Sequence, residues 1–217
     1  LKLAIAGTII MSPDLADALD AIFLARVPAA WTKVSQLVAP NMGVWFLNML
    51  NRAEQFTNWL KNGRPNTFWL TGFFNPTGFL TANRQEVCRK HSKDGWALDD
   101  VIDYSEVLKQ ERDEVKKGPD EGVYIYGLFL DCAKWEKDKN RLADSEPKVL
   151  FAALPVLWIT GCQPSSLKGD KNTYYTCPTY KAPRRTGLNY ITEVQLRTDD
   201  TAMKWTLRGV ALLTTTE

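Results

Sequence analysis

EGVYIYGLFLDCAKW, from Glu121 to Trp135, and SEPKVLFAALPVLW, from Ser145 to Trp158, decide how the sequence is read. Both runs are rich in β-branched and aromatic residues, the side chains that suit a pleated, packed surface. Apolar residues occupy both faces of each run, as expected of strands covered on both sides. Almost nothing in either run could carry out chemistry, so this part of the protein reads as packing material.

Strands are expected to flank these runs. Val101 to Leu108 reads as the first of them, and Val123 to Leu130 as the next. Lys148 to Phe151 and Val156 to Thr160 follow as short strands separated by Pro155. Asn189 to Arg197 alternates, with Tyr190, Thr192, Val194 and Leu196 against Asn189, Ile191, Glu193, Gln195 and Arg197. Trp205 to Leu213 reads as a closing strand with Trp205, Leu207, Gly209, Ala211 and Leu213 on one face. Lys109 to Glu121 is a charge-dense connector, Lys134 to Arg141 a charged loop or single helical turn, and Gly161 to Asn172 a loop.

The sequence before residue 95 has a helical period instead. Leu1 to Met11 carries apolar residues at helical spacing. Ser12-Pro13-Asp14 is a fresh helix start, combining a capping hydroxyl, a residue pre-set for the first turn and an acid at the positive end. Leu15, Ala18, Leu19, Ile22 and Phe23 form its stripe, and Val27-Pro28 stops it before a loop that carries Trp31. A longer helix is predicted over Met42 to Lys61, with Met42, Trp45, Phe46, Met49, Ala53, Phe56 and Leu60 on one side, ending at Asn62-Gly63. Phe68-Trp69-Leu70 is short and extended, and Asn75-Pro76 caps a helix running to about His91. Helices followed by consecutive strands predict an α+β fold with an antiparallel sheet or barrel, divided into a helical subdomain, 1–95, and a β subdomain, 96–217.

Composition narrows the function. A protein of 217 residues buries roughly 70–75% of its unfolded surface without staples. A net charge of +2 is no footprint for nucleic acid. The longest apolar run, Val149 to Ile159, is far short of the ~20 residues that span a bilayer. Four cysteines without a C-x-x-C pair, and no usable glycosylation sequon (Asn75 is followed by Pro76), suit reduced thiols in a cytoplasmic setting. The sequence opens at Leu1 without an initiator Met, which reads as a piece of a longer protein.

Each chemical motif has a plainer explanation. The stretch from Gly161 through Lys168, Gly169 and Asp170 has the lysine before the glycine, the wrong order for a phosphate cradle, and reads as surface loop. Cys88 and His91 lie three apart on a helix, but a zinc site would need the distant Cys162 and Cys177 to complete it. The same Cys88–His91 pair, with Asp94 nearby, has the residue types of a thiol nucleophile but no sign of a cleft. Asp99-Asp100 and Asp199-Asp200 read as solvated turns, and Lys181, Arg184 and Arg185 as a solvated basic turn. Of the eight tryptophans, Trp45, Trp158 and Trp205 sit at core-like positions, while Trp31 and Trp96 suit plugs at domain contacts. No catalytic, cofactor-binding or metal-ligating residue is expected.

LKLAIAGTIIMSPDLADALDAIFLARVPAAWTKVS (Leu1–Ser35), NGRPNTFWLTGFFNPTGFLTA (Asn62–Ala82), EGVYIYGLFLDCAKW, LADSEPKVLFAALPVLW, YYTCPTYKAPRRTG (from Tyr174) and WTLRGVALL (from Trp205) resemble, in order, the C-terminal domain of dynein heavy chains, most closely the axonemal ones. The run from Phe68 to Phe74 is especially family-specific. Cys132 stands where the family more often has Gly, and Leu196-Arg197-Thr198 where Leu-Pro-Thr is more usual. The resemblance implies several helices followed by an incomplete antiparallel β-barrel, lying across one face of an AAA+ motor ring in a longer polypeptide. It further implies that ATP, Mg and microtubules are engaged only upstream in the parent motor. It places that motor in the cytoskeleton of a ciliary or flagellar axoneme, with ring modules as partners and no nucleic acid or membrane. This piece would be a non-enzymatic strut that tunes motor output. Parts of Leu1, Ile5 and Ile9, or a helical face near Phe23, are expected to lie exposed as its docking surface. The alternative is a free-standing ligand-binding barrel, recognisable by a polar cleft at Trp96, Trp135 or Trp158.

Overall fold

Ser12 and Asn75 open helices as their chemistry requires. In a computed structural model that describes residues 1–35, 39, 41–164 and 173–216, the Leu15 amide donates to Ser12 Oγ at 3.3 Å, and Pro13 begins α2 (Pro13–Phe23). The Gly78 amide donates to Asn75 Oδ1 at 2.9 Å at the head of α5 (Pro76–Lys90). Ahead of α2, only α1 (Lys2–Ile5) is helical, because the backbone turns at Gly7 with a φ of +73°. Trp31 does not sit in a loop. It lies in α3 (Ala29–Ser35) and stacks on Trp45, with ring centroids 5.7 Å apart. Trp45 belongs to α4 (Met42–Asn62), which ends at Gly63 with a φ of +83°.

Eleven strands among the described residues form three sheets. β1 (Phe68–Trp69), β3 (Val123–Tyr126), β8 (Leu157–Cys162) and β2 (Ile102–Val107) make the first, in that order. The second is ordered β10 (Tyr190–Arg197), β9 (Tyr174–Tyr180), β11 (Ala211–Leu213), β4 (Phe129–Asp131), β7 (Phe151–Ala153). The third is a hairpin of β5 (Ala133–Glu136) and β6 (Arg141–Asp144). Pairing is antiparallel except for β1 with β3 and β11 with β9. The fold is α+β, with most helices in the first part and most strands in the second, and with no closed barrel among the described residues.

Local differences from the sequence reading have identifiable causes. The run from Val123 to Leu130 is two strands in two sheets, divided at Gly127, whose φ of +82° turns the backbone. A Cβ there would come within 2.6 Å of Trp69 Cδ1. Lys134 to Arg141 is part of the β5–β6 hairpin, because Asn140 adopts a φ of +52° and closes the turn. Trp205 to Leu213 is not a strand. α6 (Ala202–Leu207) carries Trp205, Gly209 reverses the backbone with a φ of +67°, and only Ala211–Leu213 is extended. β9 lacks a clean strand signature, since it contains Pro178, a residue usually kept out of strand interiors. In β10 the alternation shifts at a bulge between Tyr190 and Thr192, which buries Ile191 together with Val194 and Leu196.

Two compact units divide the molecule, Leu1–Thr57 and Asn58–Thr216. Composition changes near residue 95, beyond which most of the strands lie, but α5 belongs with the sheets. It buries Leu80 and Val87 there, and Asn83 donates from Nδ2 to the Ile159 carbonyl at 3.3 Å. The second unit holds the core: Phe68, Leu70, Ile125, Leu130, Leu157, Leu196, Trp205 and Leu212 are all essentially inaccessible. The Phe68–Phe74 run supplies an aromatic nucleus in which Phe68 meets Trp59 at 4.9 Å and Phe79 at 5.1 Å, with Phe73 stacked on Phe79 at 3.9 Å.

Candidate functional site

Taken by itself, the first unit has little core. Among its described residues the buried apolar side chains are Ala4, Ala18, Pro28 and Trp45. Leu3, Ile5, Ile9, Ile10, Phe23, Leu24, Val34, Phe46, Leu47 and Leu50 are exposed, Phe23 at 87%. Ile5, Ile9 and Phe23 are the residues expected to be bare, and Leu1 is half-buried. The stripe on α4 differs from expectation. Of Met42, Trp45, Phe46, Met49, Ala53, Phe56 and Leu60, only Trp45 is buried, and Leu60 is 88% exposed. The signal available in the sequence is that Leu47 and Leu50 lie off the stripe, so α4 is apolar over more of its circumference than a one-sided helix needs.

In the second unit, the residues singled out for chemistry are engaged structurally. His91 caps the C-terminal end of α5. Its Nδ1 lies 3.1 Å from Asp94 and its Nε2 2.8 Å from Glu121, while the ring stacks on Trp96 at 4.3 Å. Both ring nitrogens are therefore committed to carboxylates, which leaves none to activate Cys88. Among the described residues no group of three or more His, Cys, Asp or Glu side chains is placed to hold a metal ion, so Cys88, His91, Cys162 and Cys177 do not assemble into a site. Burial pushes the thiols of Cys132, Cys162 and Cys177 up, which disfavours the nucleophilic thiolate. Asp199 pairs with Arg141 and Asp200 with Lys204. Asp99 and Asp100 lie exposed in a short 3-10 turn. Arg185 is an internal brace that reaches Asp131 and the Gly209 carbonyl. Ser165 to Asn172, including Lys168, Gly169 and Asp170 of the glycine-lysine stretch, lie outside the described residues.

The His91 arrangement yields a titration. Hydrogen bonds to Asp94 and then Glu121 hold its pKa above the ordinary value. A raised folded value means that the stabilisation is fully present below the unfolded pKa of about 6.5 and is lost as pH rises through the folded value. The protein has a single histidine, so its imidazole signal in proton NMR is unambiguous. The midpoint should lie above that of a free histidine and fall in Glu121→Gln. The melting-temperature gap between the native protein and His91→Gln should be constant in mild acid and narrow towards alkaline pH. A gap that widens instead contradicts this account.

β2 and β10 meet without a continuous ladder. The Gln195 amide donates to Ser105 Oγ at 2.8 Å, Ser105 returns its hydroxyl to the Gln195 carbonyl at 3.4 Å, and Thr192 donates to Asp103 at 3.3 Å. Beside this seam lies a pocket of about 80 Å³ lined by Tyr104, Glu106, Trp135, Asn140, Tyr174, Gln195 and Arg197. Neither Trp96 nor Trp158 lines it. The Trp158 indole instead donates to the Glu121 carbonyl at 2.9 Å. The volume is well below the roughly 300–1,000 Å³ of ligand sites, so a barrel built around a whole metabolite is not what the seam offers. No described helix is long and apolar enough to cross a membrane.

Known proteins are similar to this sequence over nearly its whole length. A family model for the C-terminal domain of the dynein heavy chain matches residues 1–214. The protein is 54% identical over 213 residues to dynein axonemal heavy chain 8 of Homo sapiens, a match that covers 98% of this sequence and 5% of that protein. It is 51% identical over 218 residues to dynein axonemal heavy chain 5 of Mus musculus, covering 98% of this sequence and 4% of the other. It is 49% identical over 216 residues to the flagellar outer arm dynein gamma chain of Chlamydomonas reinhardtii, covering 98% and 5%. The 217 residues thus span about a twentieth of the length of the relatives they match.

Proposed function

This protein belongs to the family of dynein heavy-chain domains found at the C-terminal end, and from that premise we propose that it serves as a non-catalytic brace in a longer axonemal-type motor. The brace packs across the AAA+ ring modules of its parent and tunes motor output. ATP and Mg are engaged by the parent ring, and microtubules are reached only through the parent. Nucleic acid and membranes are not partners, and the site of action is the cytoskeleton of a ciliary or flagellar axoneme.

The observation that supports this reading is the bare apolar surface of residues 1–57. With so few apolar side chains buried among its described residues, the unit gains little burial of its own to offset its ordering entropy. Contact with the ring modules would supply that burial. A large apolar contact also couples domains that would otherwise slide, and a coupling of about 1–3 kcal/mol is enough to shift the populations of a motor cycle several-fold.

The test is made in the parent motor. Phe23→Asp combined with Phe46→Asp should change velocity, stall force or ATPase rate at least several-fold, as should removal of the whole segment. Unchanged values in both would reduce the domain to passive attachment. The purified 217-residue protein given magnesium and ATP should show no turnover, and turnover abolished by a substitution within it would overturn the non-catalytic assignment.

A further inference from the structure

We propose that Ser92 is a phosphorylation site, and that a phosphate there acts through the neighbouring imidazole of His91. Arg89 and Lys90 stand three and two residues ahead of Ser92, and no other serine or threonine of the sequence has a cation at both of those places. Thr186 comes nearest, with Arg184 two ahead and Arg185 immediately before it, but it has Pro183 at the third place. Protein kinases that select basic substrates read cations at these two places with acidic groups of their own clefts, so the pattern is a charge code for one class of enzyme. The structure presents the pattern to solvent. Arg89, Lys90, Ser92, Lys93 and Asp94 are exposed. α5 ends at Lys90, and Ser92 opens a single 3-10 turn, Ser92–Asp94, closed by Gly95 with a φ of +76°. A kinase cleft takes its substrate extended, and the frayed end of a helix with one turn beyond it opens at little cost. Lys90 exchanges its bond to the Asp120 carbonyl, 2.8 Å, for an acidic partner in the cleft.

The transfer balances between serine and ATP. Ser92 Oγ attacks the γ-phosphorus of ATP, the new O–P bond forms as the bond to the bridging oxygen of ADP breaks, and the hydroxyl proton passes to the kinase's base. The product carries about −1.5 to −2 charge near pH 7. It sits at the end of α5, where the helix dipole is negative, and two residues before Asp94, and both repel it. The cations that flank it in sequence, Arg89, Lys90 and Lys93, attract it, as does the imidazolium of His91. His91 already lies between Asp94 at 3.1 Å and Glu121 at 2.8 Å, with Trp96 against its face. A third negative group beside it favours the imidazolium further, so the phosphorylated protein keeps His91 charged to higher pH. The modification thus sets the charge of the joint between α5 and the segment that leads into β3.

The site lies outside residues 1–57, so its test does not depend on the ring-docking reading. The folded 217-residue protein is incubated with magnesium, ATP and the catalytic subunit of cyclic-AMP-dependent protein kinase, an enzyme of the basic-substrate class, and the product is mapped by mass spectrometry. Phosphate should appear on Ser92 and be absent from that peptide in Ser92→Ala. In Arg89→Gln it should form about tenfold more slowly, the value of one close charge pair across an interface. Both substitutions fall on exposed residues and should leave the fold intact. The single imidazole signal then reads the consequence. Its titration midpoint should rise by roughly half a pH unit in the phosphorylated protein, the Coulomb effect of an adjacent double charge screened by salt. Ser92→Ala treated in the same way should keep its midpoint. Folded protein that takes no phosphate, or takes it at Thr186 instead, overturns the proposal. So does a midpoint that stays in place or falls when Ser92 carries phosphate.

Discussion

Gly122→Ala is expected to destabilise the sheet-bearing unit by about 4 kcal/mol, the sum of a left-handed backbone penalty and an overpacking term. Gly122 has a φ of +79°. A Cβ added there would collide with the Ile159 carbonyl oxygen and come within 2.7 Å of Thr160 Cβ and 2.9 Å of Trp158 Nε1. The first atom is backbone in the centre of β8, so it cannot swing away. Nor can the glycine retreat, because its segment is pinned by several donors. Arg64 donates to the Gly122 carbonyl at 2.8 Å, Trp158 to the Glu121 carbonyl at 2.9 Å, and Lys90 to the Asp120 carbonyl at 2.8 Å. Gly95→Ala is the matched control. Its φ is +76°, and nothing lies within 4 Å of the added carbon, so it should cost only the backbone part, about 1–2 kcal/mol. Denaturant unfolding followed by circular dichroism measures both. For a protein of this size the Gly122→Ala melting temperature should fall by roughly 10 °C, given a sensitivity of about 2–4 °C per kcal/mol. If Gly122→Ala costs no more than Gly95→Ala, the crowding at β8 is not rigid.

What the sequence reveals of the structure follows the range of the forces involved. Ser12 and Asn75 are legible directly because a cap acts within three residues of itself. β3 and β8 are legible because β-branched, doubly apolar runs have few other uses. The segment from Trp205 to Leu213 misleads because alternating apolar residues cannot by themselves distinguish a helix ending at a glycine from a strand. The φ of Gly209 decides the matter, and glycine is nearly silent about its own φ. β9 is hidden by Pro178. The bare face of α4 misleads for a different reason. Periodicity shows that Phe46 and Leu60 share a stripe, but says nothing about which molecule covers it. The seam pocket is out of reach altogether, since it is built from residues of β2, the β5–β6 hairpin, β9 and β10 that only long-range pairing brings together.

Trp205→Ala should cost about 3–5 kcal/mol, the usual range for deleting a large buried aromatic side chain. Trp205 is 0% exposed and lies in the core of the second unit. Its indole N–H donates to Thr198 Oγ1 at 2.7 Å, and that hydroxyl also accepts the Asp200 amide at 3.0 Å. The ring therefore fastens α6 to the turn that follows β10, while the Lys204 ammonium lies 4.6 Å from its centre. Truncation removes the ring volume and leaves Thr198 with one partner fewer in a buried site. Trp205→Phe separates these effects. It keeps most of the packing and loses the hydrogen bond, so it should cost about 1–3 kcal/mol, the expense of a buried polar group left unpaired together with a small cavity. Both variants should shift the denaturant midpoint with little change in slope, as a loss of native contacts requires. Total stability in a domain of this kind is about 5–15 kcal/mol, so the alanine variant removes a large fraction of it. An alanine cost below about 1 kcal/mol, the level of a surface change, would mean that α6 does not depend on this anchor. Equal costs for alanine and phenylalanine would instead assign the whole effect to the Thr198 hydrogen bond and none to the volume of the ring.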